Sequence, residues 1–186
     1  MGVRALFLVG FMASGKSSVG KEMARRLRWS FLDLDSVIEA REKQSVPAIF
    51  AARGEHGFRQ AETAALRDLL ANPPHDCVIA LGGGAFTQAI NRQMLQDWKS
   101  IFLDAPPDEL WRRSHQDVQE RPLRRNREQF ARLYEERLPH YRQATHVVNT
   151  FGKNIPTICT EIESLLREAG DVSDVSAAHP SRGESL

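Results

Sequence analysis

Short, wholly apolar runs alternate along this chain with longer stretches in which apolar residues recur every three or four positions. The runs at Leu6–Val9 and Cys77–Leu81 have no polar alternation, which is the pattern of strands buried on both faces. Ser30–Leu34, Ser100–Leu103 and His146–Val148 complete five predicted strands. Between the first two lies a helix over Lys16–Leu27, with Val19, Met23 and Leu27 on one face. Ser36 is read as the cap of a helix carrying Val37, Ile38 and Ala40. Ser45 caps another helical turn, with Pro47 near its start and Arg53-Gly54 at its end. Phe58–Leu70 is helical until Asn72-Pro73-Pro74 breaks it. Further helices are expected over Ile90–Trp98, from a cap at Asp108 through Arg113, over Glu128–Arg137, and from Asn154 and Pro156 to Glu168.

Strands alternating with helices predict an α/β fold: a parallel sheet with helices on both faces. Ligands of such sheets bind at the carboxyl ends of the strands. At 186 residues the chain is long enough for one domain with a sizeable core, assigned to residues 1–170. Residues 171–186 turn to Ser, Ala, Gly and Asp and read as a disordered tail. Ser114–Arg127 is polar and basic and is expected to be a mobile loop. A formal net charge of +1 argues against nucleic-acid binding through bulk charge. Arginine strongly outnumbers lysine, so anion sites should be built from guanidinium groups. No apolar run approaches a membrane span, no signal peptide is legible, and Cys77 and Cys159 have neither metal-ligand nor paired-motif spacing. Together these features suggest a cytoplasmic protein with reduced thiols.

Chemistry enters at Gly10–Ser17, which reads Gly-Phe-Met-Ala-Ser-Gly-Lys-Ser directly after the first strand. G-x-x-x-x-G-K-[ST] in that context lets main-chain N–H groups of Gly10, Ala13, Ser14, Gly15, Ser17 and Ser18 close around a polyphosphate. The helix behind it adds its positive end. Lys16 reaches the β- and γ-phosphates, and the Ser17 hydroxyl ligates Mg²⁺. Four further features lie at strand ends or in loops. Asp33 and Asp35 would lie on one side of an extended chain, either as a magnesium-side acid and an acceptor-side base or as a helix cap and a solvated acid. Arg59 and Glu62, three apart on a helix, can face one another, and taken alone they read as an ordinary surface pair. Gly82-Gly83-Gly84 allows close approach of a ligand to the main chain, or makes a plain turn. The basic stretch around Arg121 is a lid over phosphates, placed at about residues 114–127, or a solvated face.

Taken in order, the phosphate loop, D-x-D, G-E-x-x-F-R-x-x-E, G-G-G, R-P-L and R-x-P-x-Y resemble the shikimate kinase family over residues 4 to about 165. The resemblance implies a P-loop, three-layer fold similar to the nucleoside monophosphate kinases. Its parallel strand order would be 2-3-1-4-5, with a substrate-binding helical region and a lid. It implies ATP and shikimate as substrates, Mg²⁺ as cofactor and a monomer that binds neither membrane nor nucleic acid. By the same resemblance Asp35 faces the acceptor hydroxyls, Arg59 and Arg137 grip the carboxylate, and Gly83 contacts substrate through its main chain. Arg121 reaches the phosphates, Arg113 lies over adenine and Asp33 stands behind the metal. Two departures stand out: Ala13 replaces a frequent glycine, with little effect expected, and His140 takes a usually apolar position, which should soften packing beneath Arg137. The competing readings are a gluconate-type small-molecule kinase, and a non-catalytic ATP-binding paralogue that would have discarded Lys16, Asp35 or a carboxylate arginine.

Overall fold

The computed structural model describes residues 5–116 and 126–168. Five strands form one parallel sheet in the order β2-β3-β1-β4-β5, as expected. They are β1 (Ala5–Val9), β2 (Ser30–Asp33), β3 (Cys77–Ala80), β4 (Lys99–Asp104) and β5 (His146–Asn149). The central strand β1 is buried throughout, and its side chains serve two cores by simple alternation. Ala5, Phe7 and Val9 enter one core with Ile38, Leu66 and Tyr141. Leu6 and Leu8 enter the other with Met23 and Ile162. Helices α1 (Lys16–Leu27) and α7 (Ile155–Glu168) cover the second face. Helices α2 (Leu34–Glu42), α3 (Val46–Ala71), α4 (Ala89–Met94), α5 (Pro107–Gln116) and α6 (Arg127–Tyr141) contribute to the first.

Several element boundaries differ from the sequence reading, each for a local reason. Asp33, not Ser36, caps α2: its carboxylate accepts from the Asp35 N–H at 3.1 Å. Asp35 therefore stands in the first turn of a helix rather than on an extended chain. The Ser45 cap is present and accepts from the Ala48 N–H, and Gly54 bends α3 with φ 64° and ψ −173°, where the helix was expected to end. Helix α5 starts at Pro107, so Asp108 lies inside its first turn, where its charge complements the helix dipole. That helix runs on to Gln116 and α6 already begins at Arg127, so the ends of the expected loop are helical. Helix α4 stops at Met94, four residues short, and a 3₁₀ turn at Ala85–Thr87 precedes it. Helix α6 continues past Arg137 through Pro139 to Tyr141. Proline removes an N–H from that turn, yet Tyr141 is wholly buried and stacks on Phe102, which holds the turn in place. The expected tail and most of the expected lid, Arg121 included, lie outside the described residues.

Candidate active site

The site forms where β1, β2 and β3 end. Gly10, at φ 152°, and Gly15, at φ 94°, turn the chain from β1 into α1. A side chain at Gly10 would run into Ser14 and the Leu103 carbonyl. Helix α1 starts after Gly15 with no side-chain cap, so its first N–H groups are left for an anion. Lys16 Nζ donates to the carbonyls of Gly10 and Phe11, both at 2.9 Å, which holds the ammonium over its own loop. Ser17 Oγ donates to Asp33 Oδ2 at 3.1 Å. A hydroxyl and a carboxylate side by side are hard oxygen donors, so these two residues fit a magnesium ion. Among the described residues no cluster of three or more His, Cys, Asp or Glu could hold a metal by itself.

A cleft of about 390 Å³ is lined by Lys16, Ser17, Asp33, Asp35, Gly83 and Arg113. A second hollow, of about 650 Å³, adjoins it at Ala13, Gly15, Ser18 and Arg113 and extends to Pro156. Ser14 lines this second hollow with its hydroxyl buried. Arg113 borders both. Glu109 and both Thr150 oxygens fix its guanidinium, at 2.7, 3.1 and 3.0 Å, so its plane is set before any ligand arrives.

The three glycines after β3 are where the remaining candidates meet. A methyl group at Gly82 would sit 2.9 Å from Asp35 Oδ1 and 3.0 Å from Glu62 Oε1. One at Gly83 would lie 3.7 Å from the Met12 nitrogen and 3.9 Å from Arg137 Nη1, and one at Gly84 would overlap the Arg59 guanidinium. Each missing side chain thus leaves room for a different functional group. Arg137 Nη1 donates to the Gly83 carbonyl at 3.3 Å, and the Tyr141 hydroxyl donates to the same oxygen. The Phe11 ring lies 5.8 Å from the Arg137 guanidinium, so a phosphate-loop residue supports that side chain.

Arg59 is more than a surface ion pair. Its partner Glu62 has no exposed side-chain area and sits at 2.9 Å, with Gln88 donating to the same carboxylate oxygen, also at 2.9 Å. Burial pushes the Glu62 carboxyl above its usual range and Asp35 adds to that, against the pull of Arg59. Burial also works against the Arg59 charge, but Glu62 and Glu55 more than offset it. The support given by Gln88 and Tyr141 was not read from the sequence. Tyr141 ends the R-x-P-x-Y motif, while nothing in the local pattern marks Gln88.

The family model for shikimate kinase matches residues 12–167. A shikimate kinase of Ralstonia nicotianae is 40% identical over 187 residues, covering 97% of this chain and 96% of the relative. The chain belongs to the shikimate kinase family. Among solved structures, the shikimate kinase of Acinetobacter baumannii in complex with shikimate superposes with a TM-score of 0.81 at 35% identity, covering 90% of this chain and 94% of that one. A gluconokinase of Sinorhizobium meliloti gives 0.62 at 18% identity over 90% of this chain and 94% of its own, which shows a shared fold only.

Proposed function

We propose that this shikimate kinase transfers the γ-phosphoryl group of ATP to the 3-hydroxyl of shikimate. The observation that carries the reading is the meeting of Asp35, Glu62, Arg59 and Arg137 around three glycines beside the phosphate loop. A small acid bearing hydroxyls needs two things of a protein: planar cationic forks for its carboxylate and an acceptor for its hydroxyl protons. On this reading Arg59 and Arg137 bind the carboxylate, the Gly83 main chain contacts the ring substituents, and Asp35 orients the attacking hydroxyl and takes its proton. Gly10, Ala13, Ser14, Gly15, Lys16, Ser17 and Ser18 hold the phosphates, Arg113 covers the adenine, and Arg121 joins Lys16 on the transferring group. Ser17 would ligate Mg²⁺, with Asp33 behind it, and the ion neutralises phosphate charge when bound.

Transfer of this kind asks little covalent chemistry of the protein, so positioning and charge do most of the work. Asp35 holds the hydroxyl in line, and Lys16 and the N–H groups of α1 stabilise charge on the phosphates. We further propose a single catalytic domain over residues 1–170, with a lid at about 114–127, acting as a cytoplasmic monomer without membrane or nucleic-acid partners. In support, no described helix is long and apolar enough to cross a membrane. A coupled ADP-release assay with shikimate, gluconate and quinate tests the reading. Turnover should require shikimate, and equal rates with gluconate would overturn it.

A further inference from the structure

The triple-glycine loop is fastened by side chains from outside it. Thr87 Oγ1 donates to the Gly84 carbonyl at 2.7 Å, and Asn91 Nδ2 donates to the Ala85 carbonyl at 2.9 Å. Arg92 does more. Its Nη1 donates to the Phe86 and Thr87 carbonyls at 2.9 and 2.7 Å, and its Nε donates to Gln143 Oε1 at 3.0 Å. Gln143 in turn donates to the Pro139 carbonyl at 3.2 Å. That carbonyl needs a partner, because the Gln143 N–H bonds His140 instead.

We infer that Arg92 is a positioning residue that fixes both arms of the carboxylate site at once. On one side it holds the Thr87 carbonyl, next to Gln88, which orients Glu62 and through it Arg59. On the other it reaches through Gln143 to the last turn of α6, two residues from Arg137. Only a guanidinium can do this, since its Nη1 serves two carbonyls while its Nε faces a third partner; an ammonium has no such fork. Arg92 lines neither hollow of the site, so its influence on substrate passes through the loop and α6.

The inference rests on the assignment of Arg59 and Arg137 to the substrate carboxylate, and the test separates the two. Steady-state kinetics would be measured for the full chain as wild type, R92A, R92K, Q143A and R92K/Q143A. Loss of charged hydrogen bonds to the loop should raise the KM for shikimate about tenfold in R92A, with the KM for ATP within about twofold of wild type. R92K keeps the charge but not the Nε contact, so it should fall between the two, and adding Q143A to it should raise the shikimate KM by less than Q143A does in the wild type, because one of the two Gln143 bonds is already gone. If R92A does not fold, R92K and Q143A, which leave the loop charge in place, decide the matter by the same ratio. Shikimate KM unchanged in all variants, or rising in step with ATP KM, overturns the inference while wild-type turnover still supports the assigned function. A wild-type protein that releases no ADP with shikimate overturns both.

Discussion

Replacing Gly84 by alanine adds one methyl group at the point where it does the most to Arg59. The backbone there has φ −104° and ψ −14°, which alanine adopts, so the change costs little locally. The new Cβ would overlap the guanidinium of Arg59, so that group must swing away, abandoning Glu62 at 2.9 Å and Glu55 at 3.2 Å. Glu62 keeps Gln88, so its carboxylate is not left alone in the core. Direct removal in R59A breaks the same buried pair, at a cost of about 3–5 kcal/mol, and also deletes the cation, so it cannot tell a misplaced charge from an absent one. In G84A the guanidinium survives but is misplaced. A charge-assisted hydrogen bond contributes about 1.5–3 kcal/mol, so shikimate should bind about 10- to 150-fold more weakly. Calorimetric titration with shikimate reads that loss, and the KM for ATP should stay near wild type because the phosphate loop is untouched. G83A is the control for folding: its methyl group meets nothing nearer than 3.7 Å, so its melting temperature should match wild type. Undiminished shikimate affinity in a folded G84A protein would refute the placement of Arg59 on the carboxylate.

Asp35→Asn should lower kcat by about 10²–10⁴ if the carboxylate takes the hydroxyl proton, and near-normal ADP release would remove it from that role. Ala13 has φ 61°, a left-handed conformation that costs a residue with a Cβ about 1–2 kcal/mol, part of which glycine gives back as unfolded-state freedom. Ala13→Gly should therefore melt at or slightly above the wild-type temperature, and a clear drop would mean that the alanine methyl makes a contact worth more than the strain. Burial pushes the Tyr141 hydroxyl from 10.0 up to about 12, and burial together with Asp104 pushes Tyr134 up as well. Neutral phenols are thus favoured by the fold, so the stability they contribute is whole below pH 10 and is lost as pH rises through 10 towards 12. These are the only tyrosines in the chain, so absorbance of tyrosinate should appear only as the protein unfolds, and its appearance near pH 10 in folded protein contradicts the burial argument.

How much of this was legible in the sequence follows from the range of each interaction. The phosphate loop and its strand could be read because all their determinants lie within a dozen residues, and the strand order came with the resemblance to a family. For the D-x-D pair the extended-chain reading fails and the helix-cap reading of Asp33 holds. Strand alternation does not reach Asp35, because a carboxylate that caps the following helix ends the strand at Asp33, two residues earlier. The continuation of α6 through Pro139 could not be read at all, since local propensity forbids it and the buried Tyr141 that secures it packs on a distant strand. Gln88 and Arg92 were invisible for the same reason. A lone polar residue in a weak helix gains its role only when the fold brings Glu62, the loop carbonyls and Gln143 beside it.

That distinction bears on how two anions can share one site. At an effective dielectric constant of about 20, unit charges 6 Å apart repel by about 3 kcal/mol, and a triphosphate beside a carboxylate involves several such pairs. The cations assigned to offset this are each held before ligand arrives: Lys16 by the Gly10 and Phe11 carbonyls, Arg113 by Glu109, Arg59 by Glu62, and Arg137 by the Gly83 carbonyl. Charges fixed in advance need no reorganisation as phosphoryl transfer begins, which is where preorganised electrostatics act most strongly. Two of those holders lie on loops shared by both halves of the site. Phe11 belongs to the phosphate loop yet supports Arg137, and Gly83 lines the phosphate cleft yet anchors the same arginine. Moving either loop to admit phosphate must therefore shift the arginine assigned to the carboxylate. The two halves, though read from motifs more than a hundred residues apart, form a single electrostatic unit.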